Sequence, residues 1–516
     1  MTAEPFFDEL FSRIVSQGIE NKQDLHRAKT ELCGKYALVN VPSDSEVLSH
    51  ATPEIRERMR NLLKIKRTRS ASGVAVVSVM TAPYPCPHGK CIYCPGGPDV
   101  GTPQSYTGKE PAAMRAIQYD YDPCGQTRAR LEQLRAMGHP TDKIELIILG
   151  GTFTNLEADY REWFVKNCLD AMNERPSTDL QEAQGLNERA DSRCIGLTVE
   201  TRPDCFGDDQ VRHSMSLGVT RVELGVQSVF DDVLSRVGRG HDVEQVRVST
   251  AAAKNYGLKV CYHMMPGLPG STATRDIESF RTIFSNEEYR PDMLKIYPAV
   301  VLRGTEMYEM WRRGEYAPLS TEEAVRLIAQ IKRIVPPWVR IQRIQREIEI
   351  HSIQAGVDKG HLRDLARRAL AATGEKCRCI RCREVGLNGR DIDQSDILMR
   401  RTDYVASGGR ETFLSFEDES GQTLVGYLRM RMCNAGVFLR ELKVFGEVVP
   451  FGEPPDARWQ HQGYGKKLVT ECERIAAEEH DARELKVTSG VGARDYYRRL
   501  DYHLDEPYMV KVFPDS

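Results

Sequence analysis

Six short apolar runs, rich in β-branched residues and separated by amphipathic stretches, occupy the middle of this chain. They are GVAVVSVM (73–80), KIELIILGG (143–151), CIGLTVETRP (194–203), RVELGVQS (221–228), KVCYHMMPGLPG (259–270) and MLKIYPAVV (293–301). Segments between them, such as 159–174, 207–217, 241–256 and 274–287, have helical periodicity. Strands that alternate with helices must run parallel, so the pattern predicts an α/β fold, an open parallel sheet or incomplete (β/α)6 barrel. Chemistry in such folds gathers at the C-terminal ends of the strands. Cys86, Cys91 and Cys94 follow the first run and Gly150-Gly151 close the second, so both fall at that end.

The flanking regions differ. Residues 1–70 are polar and helical, and between Arg56 and Arg69 seven positive residues face one acid, Glu57. A solvated helix face explains such a run as well as a phosphate-binding segment does; on the second reading Lys64, Lys66, Arg67 and Arg69 are nucleic-acid contacts. Pro336-Pro337 ends the alternating pattern. Residues 336–395 form a basic connector, with eleven basic residues against five acids from Arg340 to Arg383. Residues 396–516 change again: TFLSFED, TLVGYLRMRM and VFLRELKVFG succeed one another, followed by a helical segment at 463–479 and a final strand at PYMVKVF, an α+β pattern. The expected units are therefore 1–70, 71–335, 336–395 and 396–516. With 71 basic and 74 acidic residues the net charge is −3, which excludes a uniformly basic nucleic-acid binder but not a local patch. No run reaches the ~18 apolar residues of a membrane span, and the first residues carry acids where a signal peptide carries positive charge. A cytoplasmic protein without a membrane partner is expected.

In a reducing compartment the 14 cysteines do not form a disulfide framework. Six fall in two triplets, Cys86/Cys91/Cys94 and Cys377/Cys379/Cys382, and the spacing of both reads as metal binding. Three thiolates on one short loop suit a 4Fe–4S cluster with one iron left open. They also suit zinc if His88 supplies a fourth ligand, and spacing does not separate the two. Glu200, Arg202, Gln227 and Lys295 stand at strand ends as candidate cofactor contacts, with ordinary ion pairs as the plain alternative. In the last unit, Gln460-His-Gln-Gly463-Tyr464-Gly465-Lys466 lies between a strand and an amphipathic helix, where glycines let backbone N–H groups approach a pyrophosphate.

The first triplet, with Tyr93 before its last cysteine and the Gly-Gly turn after the next strand, resembles the radical S-adenosylmethionine (SAM) enzymes, although the spacing here is C-x4-C-x2-C. The Q-x-x-G-x-G motif, the preceding strand Glu441-Leu442-Lys443-Val444 and the pair Tyr496-Tyr497 resemble the GNAT acetyltransferases. The two together, with CPHGKCIYCPGGPD, QSYTGKEPAAMRAIQYDYDP, MPGLPG, LKIYPAVVLRGTEMY, QHQGYGKKL and TSGVGARDYYRRLDY, resemble the catalytic-subunit family of Elongator, the tRNA wobble-uridine modifying enzymes, over about residues 50–513. The resemblance implies that Cys86, Cys91 and Cys94 hold the cluster and that Gly150 and Gly151 lie against SAM. It further implies that Glu441–Val444, Gln460, Gly463–Lys466, Tyr497 and Lys143 contact acetyl-CoA, and that Tyr496 or Tyr497 acts on the thioester with Lys143. Cys377, Cys379 and Cys382 resemble a Zn-binding linker, with His361 or His351 as a fourth ligand. The implied reaction builds 5-carboxymethyluridine at the wobble position from acetyl-CoA through radical chemistry, with the tRNA anticodon stem-loop as partner. The short first cysteine spacing resembles the archaeal or bacterial single-chain form, which argues against a larger Elongator-type complex and leaves a homodimer open. The alternative is a protein lysine acetyltransferase with a structural iron–sulfur domain, for which no glutamate stands out as the general base and Glu441 is the one candidate.

Overall fold

In the computed structural model, residues 4–514 are described, except 17, 20, 39–40, 43, 53, 56–71, 389–393 and 447–462. Lys64, Lys66, Arg67, Arg69 and Gln460 lie outside the described residues.

The first helix, Glu4–Ser16, places Phe7, Leu10, Phe11 and Ile14 on one face at helical spacing. These pack with Leu25 and Leu32 of the helix Lys22–Lys35 and with Val47, making a small core of their own.

The apolar runs form strands β1 (Ala75–Met80), β2 (Lys143–Leu149), β3 (Arg193–Thr201), β4 (Val219–Gln227), β5 (Lys259–Met264) and β6 (Met293–Ile296). Each pairs in parallel with the next, in sequence order. The sequence reading needs two corrections here. The run 293–301 does not continue as one strand, because Pro298 offers no N–H to a ladder; β7 (Val301–Leu302) separates from it and pairs instead with β9 (Ile353–Ala355). Moreover, β8 (Arg340–Ile344), in the segment expected to be a connector, pairs in parallel with β6, so the sheet has seven strands rather than six. β1 and β8 are its two edges and do not pair with each other, so the sheet is a curled half-barrel with one open side.

Alternation along β2 assigns the two faces. Ile144, Leu146 and Ile148 are fully buried in the layer between sheet and helices. Glu145, Ile147 and Leu149 face the hollow inside the curl.

The last domain is an antiparallel meander of β10 (Ile397–Ala406), β11 (Gly409–Asp418), β12 (Leu424–Cys433) and β13 (Gly436–Val444). β14 (Glu484–Val487) joins β13 in parallel, but the register covers only Phe438↔Lys486 and Leu439↔Val487 before the strands part. β15 (His503–Asp505) and β16 (Tyr508–Val512) complete the sheet, and the helix Tyr464–Arg474 covers it with Leu468, Val469 and Cys472.

Buried charge locks this domain to the barrel. Asp292, before β6, is fully buried and accepts hydrogen bonds from Arg440 Nη2 at 2.5 Å and Nη1 at 3.1 Å. Lys254 stands 3.6 Å from Asp292 and 3.4 Å from Glu411, and Arg431 is 2.9 Å from Glu411. Arg429 bridges Glu441 at 2.9 Å and the Trp338 carbonyl at 2.7 Å. Among the described residues no helix is long and apolar enough to cross a membrane.

Candidate functional site: two cavities with a shared wall

The loop after β1 brings its thiols into a polar, largely buried setting. Cys91 and Cys94 are buried, and Cys86 is half-buried. His88 Nε2 lies 3.1 Å from Cys91 Sγ, Ser105 Oγ 3.0 Å from Cys94 Sγ, and Thr152 Oγ1 3.5 Å from Cys86 Sγ. The Arg239 guanidinium lies within 3.7 Å of Cys91 and is itself held by the Gly225 carbonyl at 2.7 Å. Arg202, buried beside it, donates to the Arg239 carbonyl at 2.8 Å and to Asp204 at 2.8 Å. The Cys94 thiol, His88 and Arg239 together hold Cys91 down to about 3 against the opposing effect of burial. A thiolate-rich loop beside two buried guanidiniums fits an anionic iron–sulfur cluster. His88 is close enough to tune Cys91.

Gly150 and Gly151 end β2 at φ 145° and 87°. A Cβ on Gly150 would fall 2.0 Å from Thr81 Oγ1, so this turn admits only glycine. Gly151, Glu200, Gln227 and Lys295 line one cavity of about 1130 Å³ with Cys86. Glu200 accepts from the Tyr106 hydroxyl at 2.7 Å. Gln227 Oε1 is buried with no hydrogen-bond partner, an orphan acceptor beside the cysteine loop. Lys295 is ion-paired to Glu223, which also lies 2.8 Å from His263 Nε2. The plain strand-end ion pair therefore accounts for Lys295.

A second cavity of about 710 Å³ lies under the barrel, against the acetyltransferase sheet. Its walls are Lys143, Glu441–Val444 of β13, Gly463–Lys466 at the start of the covering helix, and Tyr496 and Tyr497. Among the described residues the β13–β14 register ends at Leu439, so the strands diverge toward Glu441–Val444 on the wall of this cavity. The Tyr496 hydroxyl is buried without a hydrogen-bond partner, and a Cβ on Gly465 would come within 3.1 Å of it. Burial pushes Tyr496 up to about 12 and Tyr497 higher still, so both stay protonated and able to donate. Burial also lowers the Lys143 amine.

In the connector, the sulfurs of Cys377, Cys379 and Cys382 lie within 4.8 Å of one another, and Lys332 Nζ is 3.3 Å from Cys382. Hydrogen bonds from Cys377 and Cys382 hold Cys379 well below the usual thiol range. This group includes neither His351 nor His361; among the described residues it closes on three thiols.

Sequence reasoning missed Arg239, Tyr106, Arg221, Glu223 and His263. Arg239 stands between Gly238 and Gly240, both at positive φ, which was the one local hint. Tyr106 lies within the string QSYTGKEP that carries the family resemblance, and the other three are lumen-facing polar residues inside strands with no cysteine or glycine pattern to mark them.

Comparison with known proteins follows this geometry. Residues 83–282 match the radical SAM superfamily, 291–372 the radical SAM C-terminal domain, 4–71 the ELP3 N-terminal domain and 388–502 the acetyltransferase (GNAT) family. The chain is 48% identical over 509 residues to the tRNA uridine(34) acetyltransferase of Methanocaldococcus infernus, covering 95% of each. It is 44% identical to human Elongator complex protein 3, covering 95% of this chain and 93% of that one. The solved structure of archaeal Methanocaldococcus infernus Elp3 lacking residues 1–46 superposes with a TM-score of 0.76 at 45% identity, covering 86% of this chain and all of that one. On this sequence identity, coverage and shared fold, the chain belongs to the family of tRNA uridine(34) acetyltransferases and Elongator complex protein 3.

Proposed function

We propose that the chain modifies the wobble uridine of tRNA, using acetyl-CoA as carbon donor and radical chemistry to form 5-carboxymethyluridine. The observation that carries this reading is the common wall of the two cavities: the hollow beside the cysteine loop and the pocket against the acetyltransferase sheet share Glu145, Arg221, Glu441 and Lys443. Carbon 5 of uracil is a poor site for simple base chemistry, so a radical route suits it. Cys86, Cys91 and Cys94 are the ligands for a 4Fe–4S cluster, and Gly151, Glu200 and Gln227 are placed to bind SAM beside it. Loaded in this way, the site supplies a carbon-centred radical. The protein does the rest by binding and orientation. The edge of β13 holds the pantetheine arm, and the helix N-terminus at Gly463–Lys466 faces the pyrophosphate. Tyr496 is the better placed of the two tyrosines to donate to the thioester sulfur, because its hydroxyl is unpartnered and stands over Gly465. Lys143 carries its charge into the same pocket.

The open side of the barrel is where we place the anticodon loop. Arg343, Arg346 and Arg381 line the hollow there, and Arg346 lies 6.0 Å from the Tyr106 ring, a pairing suited to an unstacked base. Cys377, Cys379 and Cys382 are assigned to zinc as a structural clamp between connector and barrel. The cysteine spacing supports action as a single chain, without a larger assembly.

Lysine acetylation fits less well. Glu441, its nominated base, is ion-paired to Arg429 at 2.9 Å, and Lys259 and Arg429 hold its carboxyl low despite burial. The test is anaerobic reconstitution with reductant, SAM, acetyl-CoA and unmodified tRNA, followed by nucleoside mass spectrometry. A 5-carboxymethyluridine signal that requires every component supports the reading; acetylated lysine peptide without tRNA product would overturn it.

A further inference from the structure

Arg239 is buried, and the groups set against its guanidinium among the described residues include no carboxylate. The residue follows the short helix Asp231–Arg236, where the Ile92 N–H donates to the Val237 carbonyl at 3.2 Å and fastens this turn to the cysteine loop. A Cβ on Gly240 would fall 2.6 Å from His88 Cβ, and one on Gly225 would fall 2.4 Å from Arg239 Nη2, so two glycines let the turn and the guanidinium close on the loop. Nη2 and Nε donate to the Gly225 carbonyl at 2.7 and 3.2 Å, and Nε also donates to His241 Nε2 at 3.1 Å. Nη1 points at Cys91 Sγ, 3.7 Å away. Burial lowers His241 to about 4, so its ring is neutral, and burial holds the Tyr93 hydroxyl protonated. Arg202, which donates to the Arg239 carbonyl at 2.8 Å, is itself matched by Asp204 at 2.8 Å. The cysteine sulfurs are therefore the anions left to Arg239 among the described residues. A buried charge is too costly to keep without a paired anion.

We propose that the Arg239 charge sets the reduction equilibrium of the 4Fe–4S cluster held by Cys86, Cys91 and Cys94, by stabilising the state that carries one more electron. The proposal rests on the cluster reading above and adds to that ligand set a residue that governs electron affinity. A 4Fe–4S core on three thiolates is anionic, and reduction adds a further negative charge. The step is the transfer of one electron from a low-potential one-electron donor; no bond forms or breaks and no proton moves. Even at about 10 Å and an effective dielectric of about 20, one unit charge shifts such an equilibrium more than tenfold.

The test measures a potential and needs neither SAM nor tRNA. The full-length protein, reconstituted anaerobically with iron and sulfide, is titrated with dithionite against redox dyes, and the reduced cluster is read by electron paramagnetic resonance. Arg239→Gln keeps a donor for the Gly225 carbonyl and removes the charge. It is expected to load iron as the native chain does and to lower the one-electron reduction constant at least tenfold, about 59 mV. Arg239→Lys should recover at least half of that shift, a rescue that a merely loosened loop would not give. Asp204→Asn keeps an acceptor for Arg202 but frees that guanidinium of its counter-charge, so it should move the midpoint the opposite way. This variant decides the question if Arg239→Gln loads no cluster. The proposal is overturned by a shift of less than threefold in a loaded Arg239→Gln, by an Arg239→Lys midpoint no closer to native, or by an Asp204→Asn midpoint that stays in place or falls. Weaker SAM binding with an unmoved midpoint would overturn it too, leaving Arg239 a SAM contact. A native chain that takes up no iron would defeat the cluster reading and the proposal with it, whereas a loaded cluster with unmoved midpoints defeats the proposal alone.

Discussion

Asp292→Asn tests the buried charge network between the two domains. Asp292, Glu411 and Glu441 are three carboxylates among four cations, Lys254, Arg429, Arg431 and Arg440, all buried. The substitution keeps the shape and an acceptor for the Val260 N–H, now at 2.9 Å. It removes the charge facing Arg440 at 2.5 Å, Lys254 at 3.6 Å and Arg429 at 3.6 Å. Losing one partner of a buried pair costs about 3–5 kcal/mol, and the retained hydrogen bond puts the expected loss near the lower figure. With a urea m-value of about 5 kcal/mol/M for a chain of this length, the unfolding midpoint should fall by about 0.6 M. Trp338, stacked on Tyr404 at 4.3 Å across this interface, reports the transition by fluorescence. Lys254→Met in the same background removes one uncompensated cation and should recover at least about 1 kcal/mol through their coupling. A midpoint shift below about 0.3 M would refute the reasoning, since it would mean that water already screens these charges.

Burial lowers Lys254 to about 8, outweighing Asp292 and Glu411. The unfolded chain then holds the extra proton between about pH 8 and pH 10.4, so stability rises with pH across that window, and Lys254→Met should flatten the rise in urea titrations run at several pH values. Gly465→Ala sets a Cβ 3.1 Å from the Tyr496 hydroxyl and 3.8 Å from Leu442, so acetyl-CoA affinity by calorimetry should fall by about tenfold, about 1.4 kcal/mol, with little change in unfolding midpoint. Cys91→Ala should abolish iron incorporation and the visible absorbance of the reconstituted protein while leaving acetyl-CoA affinity within about twofold, because none of the three cysteines lines the second cavity. Replacing Arg346 and Arg381 with alanine should weaken tRNA binding and lower the slope of log affinity against log salt by about 1–2, measured by filter binding.

The apolar strands of the barrel could be read from the sequence because their helix-facing positions are uniformly apolar; Val77 and Ile148 are fully buried. β8 could not. In Arg340–Ile344 only Ile341 and Ile344 are apolar, while Arg340 and Gln342 turn into the cavity, so the segment reads as basic linker. Its strand character comes from pairing with β6, a contact between distant segments that no local pattern announces. The cysteines, the Gly-Gly turn and the acyl-CoA glycines were legible because their chemistry needs fixed residues at short spacing. Arg221 and Glu145 meet across 76 positions, and Glu223 and His263 across 40, so their partnership exists only in the folded sheet.

A half-barrel of this size could fill its interior with branched apolar side chains, as closed barrels do. This one instead buries Glu145 against Arg221, and Glu223 against Lys295 and His263. Replacing such pairs with apolar groups of equal volume is often neutral or stabilising, so stability alone does not account for them. They keep the lumen polar on the side that faces the cysteine loop and on the wall it shares with the second cavity. The interface network then acquires a second consequence. Arg429, which bonds Glu441 in the wall that the two cavities share, also bonds the Trp338 carbonyl and lies 3.6 Å from Asp292. The charges that hold the two domains together thus also fix one wall that both cavities share, and a substitution that loosens the interface should alter acetyl-CoA affinity before it unfolds either domain.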